Sequence, residues 1–324
     1  MNILVTGCAG FIGFHLSKFL CKKYEKFKVF GLDNLNNFYT PILKKKRLNI
    51  LKKNKNFFFY KIDLIDEIKI KKLFKKNNIK IVIHLAAQAG VRDSLKIPEE
   101  YLKSNIIGFL NIINISNEYK INKFIYASSS SVYGDKKEFP LIESMKIDPK
   151  NIYSASKKLN EDIAHDLSKI SDMKMIGLRF FTVYGKFGRP DMFIFKFLNS
   201  LFNKKKFYLY NSGNHFRDYT HIDDVVSLIF KIIRKKIKNK HDVYNICSNN
   251  SVDINKLVKF IYKKVNIKPK IINKKRNKIE VIKTHGANNK ILKLLNTRIY
   301  REIYSDLPDI IKWYKSNNIW KLNK

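Results

Sequence analysis

The amino terminus constrains the fold most strongly, because an apolar run meets a glycine-rich turn there. Ile3-Leu4-Val5 is typical of a short buried strand, and the segment from Gly7 to Gly13 follows with GxxGxxG spacing. Glycine lets the chain turn tightly and approach a pyrophosphate, while the following helix offers free N–H groups and a positive dipole. Strand before and helix after is the context that supports this motif. We therefore predict a dinucleotide site that includes Gly7, Gly10, Phe11, Ile12 and Gly13.

Alternation of short apolar runs with amphipathic stretches predicts the fold class. We expect strands at residues 2–6, 28–32, 57–61, 81–84, 123–127 and 175–179, and helices at 11–23, 43–53, 68–77, 101–119 and 152–168. Such alternation is typical of an α/β, doubly wound parallel Rossmann sheet with helices on both faces. Further on, we predict a helix at 223–240, a strand at 243–246 and a helix at 254–265.

The second half of the chain predicts a smaller, partly interleaved carboxy-terminal substrate lobe. Its pattern becomes irregular after about residue 180, where Gly185, Gly188, Pro190 and Gly213 interrupt the periodicity. We assign residues 1–180 to the NAD-binding domain and expect residues 219–250 to return to it. Residues 181–218 and 251–324 form the substrate-binding lobe in this interpretation.

Polar residues at the strand ends extend the predicted cofactor site. Asp33 closes the second predicted strand, 20 residues after Gly13. A carboxylate at that place binds ribose hydroxyls and repels a 2′-phosphate, so NAD is favoured over NADP. Asp63 follows the third strand, on the adenine side, although Asp63 and Asp66 also suit a helix start. The remaining predicted cofactor contacts are neighbours of these strand ends: Asn34, Leu64, Leu85, Ala86 and Ala87.

Charge is the unusual feature of the composition. Lys and Arg number 65 against 27 Asp and Glu, which gives a formal net charge of +38. Such an excess suits a nucleic-acid partner, but the basic runs, among them residues 44–47, are scattered and lack interleaved aromatic residues. We therefore expect a solvated basic surface that attracts an anionic substrate, and we expect no nucleic-acid partner. A basic nucleic-acid-binding protein on a Rossmann fold is kept as the remote alternative.

Other compositional features predict a soluble enzyme of a reduced compartment. Cys8, Cys21 and Cys247 are widely spaced and form no CxxC pair, which favours free thiols and a cytoplasmic location. The seven histidines show no metal-ligand spacing, so no metal is expected. Met1 leads directly into the first strand and no apolar run is long enough to span a bilayer, so neither leader peptide nor membrane segment is expected.

A tyrosine and a lysine four residues apart indicate the chemistry. Tyr153 and Lys157 share one face of the helix predicted at 152–168. Free tyrosine has a pKa of about 10, and a neighbouring cation favours the phenolate and lowers that pKa. Upstream, the run Ser128-Ser129-Ser130-Ser131 follows a predicted strand, where it is either a polar loop or a set of hydroxyl donors for a substrate oxygen. Together they predict a proton-transfer site.

These motifs in combination resemble the extended short-chain dehydrogenase/reductases, the NAD-dependent epimerase/dehydratase family, over roughly residues 1–250. The matching stretches are Thr-Gly-Cys-Ala-Gly-Phe-Ile-Gly from Thr6, His-Leu-Ala-Ala from His84, Ser-Ser-Ser-Ser-Val-Tyr-Gly from Ser128, Tyr-Ser-Ala-Ser-Lys from Tyr153 and Arg-Asp-Tyr-Thr-His-Ile-Asp-Asp from Arg217. Within the family the chain is most similar to the UDP-glucuronate 4-epimerases, in Asp-Asn-Leu-Asn-Asn-Phe-Tyr from Asp33, Ala-Ala-Gln-Ala-Gly-Val-Arg from Ala86 and the stretch from Leu178 to Met192.

The resemblance implies an activity and roles for individual residues. Tyr153 removes the proton of the sugar 4-hydroxyl, Lys157 lowers the pKa of Tyr153 and binds the nicotinamide ribose, and Ser129 hydrogen-bonds the same sugar oxygen. A hydride passes from carbon 4 to NAD and returns to the opposite face of the 4-keto sugar. Family contacts to the sugar carry over to Asn105, Thr182 and Arg189, although Asn105 also suits a helix-turn cap and Arg189 also suits a role in ordering the glycine-rich loop. Arg217 matches the family's diphosphate contact, and Arg92 is the candidate for a second one. A uronate is preferred because the hydroxyls of Ser129, Ser130 and Thr182 suit its carboxylate. Family members are often homodimers, so a homodimer is expected.

Departures from the family pattern limit the alternatives. The 4,6-dehydratases and the decarboxylases carry an acid in the serine loop, where this chain has Ser130 and Ser131. A UDP-glucose or UDP-N-acetylglucosamine 4-epimerase remains the main alternative to the uronate enzyme. Cys8 stands where alanine is usual. Asp93 stands where an aromatic residue is common, and its carboxylate is placed to neutralise Arg92.

Overall fold

A parallel sheet forms the centre of the fold in the computed structural model, which describes residues 1–24, 26–276, 281–299, 301–319 and 321. The strands of the chain are β1 (Asn2–Thr6), β2 (Lys28–Leu32), β3 (Phe57–Tyr60), β4 (Ile81–His84), β5 (Lys123–Ser129), β6 (Lys174–Phe180), β7 (Thr182–Tyr184), β8 (Lys206–Tyr210), β9 (Phe216–His221), β10 (His241–Ile246), β11 (Ser251–Asp253) and β12 (Lys270–Lys274). Seven of them pair in parallel in the order β10-β6-β5-β4-β1-β2-β3.

Helices connect these strands and cover both faces of the central sheet. They are α1 (Phe11–Lys23), α2 (Pro41–Lys52), α3 (Glu67–Asn77), α4 (Pro98–Leu102), α5 (Gly108–Glu118), α6 (Ile152–Ile170), α7 (Phe193–Phe202), α8 (Ile222–Arg234), α9 (Ile254–Val265), α10 (Asn289–Leu295) and α11 (Ile303–Ser316). A π-helical turn, Lys103–Ile107, joins α4 to α5. The predicted doubly wound α/β fold is confirmed.

The two faces of the sheet have separate apolar cores. Along β1, Ile3 and Val5 belong to the core shared with α1 and α8, while Leu4 belongs to the core shared with α3 and α5. All three side chains are fully buried. A strand buried on both faces gives a continuous apolar run in the sequence, and this is why β1 was recognisable without alternation.

The carboxy-terminal lobe has its own core and two small sheets. Strands β11, β9 and β7 form one sheet, and β12 pairs in parallel with β8 to form the other. Apolar side chains of α7, α9 and α11 pack together in a third buried cluster, among them Leu198, Leu257 and Leu307. Between these segments the chain returns to the central sheet, because β10 pairs with β6 from His241↔Met175 to Ile246↔Phe180.

Several predicted boundaries differ from the structure. The helix expected at 223–240 ends at Arg234, because Lys235 has an extended conformation with ψ of 135°. The helix expected at 101–119 begins earlier, at Pro98, and changes to π geometry at Lys103. Strand β5 continues to Ser129, so the first two serines of the predicted loop belong to the strand. The small strands of the second lobe were not predicted. Across the described ranges, no helix is long and apolar enough to cross a bilayer.

Candidate active site

A cleft of about 600 Å³ lies at the carboxyl ends of β1, β2, β4 and β5, under residues of the carboxy-terminal lobe. Ligands of open parallel sheets bind at this edge. The cleft is lined by every residue predicted to contact the cofactor: Gly7, Gly10, Phe11, Ile12, Gly13, Asp33, Asn34, Asp63, Leu64, Leu85, Ala86, Ala87, Tyr153 and Lys157. Residues scattered over half of the sequence therefore meet around one cavity.

The glycine turn leaves no room for side chains. Gly7 has φ of +69°, and a Cβ there would lie 2.8 Å from the backbone nitrogen of Ala86. A Cβ on Gly13 would lie 2.2 Å from the carbonyl oxygen of Gly7. Helix α1 begins directly after Gly10, and the N–H groups of its first turn have no acceptor within the helix. A tight turn with free N–H donors at the cleft fits the pyrophosphate of a dinucleotide.

Asp33 lies at the next strand end and is almost completely buried. Its Oδ2 accepts a hydrogen bond from the Ala9 N–H at 3.0 Å, and its Oδ1 accepts one from the Leu35 N–H at 2.8 Å. Burial raises the pKa of Asp33, while the Leu35 N–H and the Lys44 charge act in the opposite direction. Each carboxylate oxygen accepts more than one hydrogen bond, so acceptor capacity toward ribose hydroxyls remains.

The far end of the predicted cofactor site contains a polar pair. The side-chain amide of Asn34 donates to Asp63 Oδ2 at 2.7 Å, and both residues line the cleft. Asp63 Oδ1 accepts from the Ile65 N–H at 3.2 Å. Asp66, and not Asp63, caps helix α3 by accepting from the Lys69 N–H. The structure thus separates the two aspartates that the sequence left as alternatives for the helix start.

Tyr153 and Lys157 come from the first two turns of α6, which begins with a capping box between Asn151 and Ser154. Lys157 is buried, and its Nζ donates to the Ala127 carbonyl oxygen at 2.9 Å. Burial lowers the pKa of Lys157 to about 8, so most of the amine is protonated at pH 7. The Tyr153 ring packs edge-on against Tyr101 with centroids 6.2 Å apart.

Electrostatics at Tyr153 differ from the sequence-based expectation. Burial raises the pKa of Tyr153, and the opposing influences are a hydrogen bond with Ser129 and the charge of Arg189. Lys157 was expected to lower this pKa, but its ammonium group is directed at the Ala127 carbonyl. In this structure the Ser129 hydroxyl and the Arg189 guanidinium favour the phenolate.

The serine run divides between two environments. Ser129 Oγ accepts from the Ser131 N–H at 3.2 Å and from the Ser131 hydroxyl at 2.9 Å. Ser130 lines the cleft, as does Thr182 from the start of β7. The Ser128 hydroxyl instead donates to Glu161 Oε1 at 2.5 Å. Hydroxyls from β5, the following turn and β7 are therefore available around the same cavity.

Three predicted substrate-binding arginines also line the cleft. Arg189 makes a two-point ion pair with Asp191, with nitrogen–oxygen distances of 3.0 and 2.5 Å. Arg92 lies over the ring of Tyr210 at 4.2 Å from its centroid, which joins the two lobes. Arg217 donates to the carbonyl oxygens of residues 216, 281 and 282. Asp93 lies 3.9 Å from Lys96 in an exposed ion pair.

Asn105 is the predicted site residue that the structure does not place at the cleft. It is 1% exposed and lies in the π-helical turn before α5. Its Oδ1 accepts from the Gln88 N–H at 2.8 Å, and its Nδ2 donates to the Gln88 carbonyl oxygen and to Ser156 Oγ, both at 3.0 Å. This corrects the expectation of a sugar contact: Asn105 joins the cleft loop at Gln88 to the helix of Tyr153.

Sequence reasoning missed two buried cations, Lys44 in the cleft lining and Arg47 beside it on α2, by treating residues 44–47 as part of a solvated basic run. Lys44 is buried and donates to Asn36 O and Oδ1 at 2.8 and 2.6 Å. Arg47 is fully buried and donates to the carbonyl oxygens of Ala9 and Phe187 at 2.9 and 2.6 Å. Arg47 thereby ties the glycine turn to the loop that carries Arg189. Both are buried residues of α2 together with Leu43, Leu48 and Leu51, and their helical spacing with these leucines was the available signal.

Comparison with known proteins assigns the chain to a family. The model of the NAD dependent epimerase/dehydratase family matches residues 3–247. The chain belongs to this family. Within it, the chain is 36% identical to a UDP-glucuronate 4-epimerase of Thermodesulfobacterium geofontis, across 97% of this chain and 96% of that protein. Family membership and the dinucleotide turn agree on NAD as the cofactor.

Solved structures give the same result. The crystal structure of UDP-glucuronic acid 4-epimerase from Bacillus cereus in complex with UDP-glucuronic acid and NAD superimposes with a TM-score of 0.90 at 30% identity, covering 96% of this chain and 99% of that one. A Tyr-to-Phe mutant of the Bacillus cereus enzyme, in complex with UDP-4-deoxy-4-fluoro-glucuronic acid and NAD, gives 0.92 at 29% identity, covering 98% and 100%. The fold of the family extends over nearly the whole chain.

Proposed function

We propose that the protein is an NAD-dependent epimerase that interconverts UDP-glucuronate and UDP-galacturonate at carbon 4. The observation that carries the proposal is the meeting of Tyr153, Lys157 and Ser129 with the glycine turn around one cleft. A base, a hydroxyl and a dinucleotide cradle are the parts that reversible oxidation of a sugar hydroxyl requires. The similarity to UDP-glucuronate 4-epimerases supports the choice of substrate.

Tyr153 is the proposed base and acid of the reaction. As phenolate it takes the proton of the 4-hydroxyl, and as phenol it returns a proton to the 4-oxygen after the sugar has turned. The Ser129 hydroxyl hydrogen-bonds Tyr153 and favours the phenolate while no sugar is bound. It is proposed to donate to the 4-oxygen instead once the sugar is in place. When bound, NAD supplies a reversible hydride acceptor next to carbon 4. Lys157 is proposed to hold the nicotinamide ribose from its buried position on α6.

Selectivity for a uronate is proposed to come from hydroxyls and charge. Ser129, Ser130 and Thr182 line the cleft and offer neutral donors to a carboxylate. The 4-keto intermediate of a uronate is a β-keto acid, which can lose CO₂. Donors that hold the carboxylate in the ring plane disfavour that loss, because the breaking bond is then poorly aligned with the carbonyl π-system. Serines at 130 and 131 also leave the loop without the acid that a dehydratase or a decarboxylase uses.

The UDP portion is proposed to bind at Arg217 and Arg92, near the boundary between the lobes. The Arg217 guanidinium is already oriented by backbone carbonyl oxygens, and a guanidinium suits a diphosphate. Arg92 rests on Tyr210 of the other lobe. We likewise propose the domain division of the sequence analysis, with 1–180 and 219–250 binding NAD and 181–218 and 251–324 binding the UDP-sugar. The return of β10 to the central sheet supports that division.

The homodimer also remains a proposal. Apolar side chains are exposed on α4, α6 and the π-helical turn between α4 and α5: Leu102, Ile107, Leu159 and Ile170. An unpartnered face of this kind is typical of a contact between copies. Light scattering of the wild type should give twice the chain mass, and Leu159→Lys should give the single mass.

We also propose a cytoplasmic location, because Cys8, Cys21 and Cys247 are all free and buried.

The deciding experiment is incubation of the purified protein with UDP-glucuronate, without added NAD, followed by proton NMR of the sugar. Appearance of UDP-galacturonate to equilibrium supports the proposal and also shows that NAD is resident. A pentose product with CO₂ makes the protein a decarboxylase. No turnover after NAD is added, with turnover of UDP-glucose or UDP-N-acetylglucosamine, selects the alternative 4-epimerase. A matched Tyr153→Phe sample controls for contaminating activity.

A further inference from the structure

A buried polar network lies directly behind the serine loop, and among the described residues its two charged members are not part of the cleft lining. Glu161 on α6 and Arg179 on β6 form its centre, with Oε1–Nε and Oε2–Nη2 distances of 2.9 and 2.7 Å. Their side chains are 6% and 4% exposed. Neither residue lines the cleft within the described part of the chain. Because a buried ion pair contributes little net stability compared with apolar packing, its place in the fold needs another explanation.

The network reaches the serine loop from both ends. Before the loop, the Ser128 hydroxyl donates to Glu161 Oε1 at 2.5 Å. After the loop, the Tyr133 ring lies against the Arg179 guanidinium at 4.8 Å, and its hydroxyl donates to Asn245 Oδ1 at 2.7 Å. The residues between these two anchors are Ser129, Ser130, Ser131 and Val132. The segment that carries the proposed hydroxyl donors is therefore fixed on both sides.

Strand register explains why these side chains meet. Ser128 on β5 pairs with Arg179 on β6, and Arg179 pairs with Asn245 on β10. Partners in register on parallel strands project from the same face of the sheet. Helix α6 covers that face and brings Glu161 above the row. Glu161 is four residues after Lys157 and eight after Tyr153, so it fixes the helix that carries both of them.

We infer that Ser128, Glu161 and Arg179 are positioning residues that hold Ser129 within hydrogen-bonding distance of Tyr153. Glu161 is the link, because it accepts from the end of β5 with one oxygen and is part of the helix of Tyr153. This inference rests on the proposed function. Loss of the link leaves Ser129, Tyr153 and Lys157 in the chain but lets the serine loop move relative to α6. Small displacements of this kind lower catalysis without abolishing binding.

The same link controls the ionisation of Tyr153. Its hydrogen bond with Ser129 favours the phenolate, and burial opposes it. The other groups around Tyr153 are Tyr101 from α4, Lys157 from α6 and Arg189, whose charge also favours the phenolate. A displaced Ser129 therefore raises the pKa of Tyr153, and less phenolate is present at neutral pH.

Ser128→Ala is the test variant, since it removes the hydroxyl and leaves the Glu161–Arg179 pair intact. We expect kcat for UDP-glucuronate to fall about tenfold with KM within about twofold of wild type. The acid limb of the kcat profile should move to higher pH. Ser128→Thr, which keeps a hydroxyl, should restore both. The matched control is Ser168→Ala, a buried serine of α6 whose hydroxyl donates to the His165 carbonyl oxygen.

A substrate-free measurement separates this inference from the proposed function. In protein labelled with ¹³C at tyrosine Cζ, the Tyr153 signal is assigned by its loss in Tyr153→Phe. Its titration midpoint should move upward in Ser128→Ala and stay at the wild-type value in Ser168→Ala. An unchanged midpoint in folded Ser128→Ala overturns the inference, whatever the enzyme's substrate. If the wild type does not turn over UDP-glucuronate but the Tyr153 midpoint still moves upward in Ser128→Ala, the proposed function is overturned and the positioning role stands.

Discussion

Replacing Gly13 with alanine tests the cofactor cradle, because two effects of known size oppose each other there. A Cβ at residue 13 would lie 2.2 Å from the Gly7 carbonyl oxygen, whereas ordinary contact begins near 3.4 Å. The turn must therefore open by about 1.2 Å, since a packed backbone has no free space to absorb the overlap. Intrinsic helix propensity acts the other way and favours alanine within α1 by about 1 kcal/mol.

We expect the clash to dominate and to appear as lost cofactor. A shift of about 1 Å removes one or two hydrogen bonds from the turn to the charged pyrophosphate, or about 3 kcal/mol. That energy corresponds to about 100-fold weaker NAD binding. The assay is the NAD released by acid from purified protein, together with the NAD concentration that restores half of the activity.

A graded control comes from Gly10→Ala. Its Cβ would lie 2.9 Å from the same Gly7 oxygen, so the required movement is smaller. The order of NAD affinity should be wild type, then Gly10→Ala, then Gly13→Ala. Thermal unfolding without added NAD shows whether each variant is folded. Wild-type NAD affinity in a folded Gly13→Ala variant would refute the cradle, and helix propensity would then be the only effect of the substitution.

Three further outcomes are expected. Tyr153→Phe should lower kcat about 10³-fold and retain bound NAD; retained turnover would remove Tyr153 from the chemistry. Thr182→Val should raise CO₂ release relative to epimerisation, as measured with carboxyl-labelled UDP-glucuronate, and an unchanged ratio would count against the carboxylate contact. Burial lowers the pKa of His15 and His241 to about 4 and that of His84 to about 3. Unfolded histidines bind protons below about pH 6.5, so the free energy of unfolding should fall from pH 6.5 to 4; equal urea midpoints at pH 7 and 5 would contradict this.

The cofactor half of the site was predictable because its signals are local. Each strand of the central sheet is a short apolar run in the sequence. The carboxyl ends of parallel strands share one edge of the sheet, so the residues that follow them lie near the cleft. Gly7 and Asp33 were therefore found from position and residue type, and Tyr153 was found from its helical spacing with Lys157, together with the family resemblance. Asp63 and Asp66 could not be separated from sequence, since either suits a helix cap, and only the structure gives the cap to Asp66.

The rest of the site depends on tertiary contacts that leave no local pattern. Asn105 was expected to face the sugar, but the π-helical turn directs its amide to Gln88 and Ser156. Lys44 and Arg47 belong to a basic run, and burial of an arginine is visible only once α2 packs between the glycine turn and the loop at Phe187. Weak alternation in lysine-rich segments likewise concealed the small strands β8 and β12.

The Glu161–Arg179 pair illustrates the same limit. Glu161 lies four residues, about one helical turn, after Lys157, and in the sequence it resembles a solvated helix residue. The same helix carries Lys158 and Asp162, which do form an exposed ion pair. Burial of Glu161 follows only from the register that places Arg179 beside Ser128. Contacts across three strands and a helix therefore decide which charged residues of α6 serve the site.

The central claim is that carbon 4 of a uronate is oxidised and reduced within one cleft, with Tyr153 moving the proton. Epimerisation of UDP-glucuronate in D₂O, followed by proton NMR, tests it most directly. The hydrogen removed from carbon 4 returns to carbon 4, so we predict UDP-galacturonate without solvent deuterium in the sugar ring. Deuterium at carbon 4 or carbon 5 of the product would contradict the account, because it would require a carbanion in place of hydride transfer.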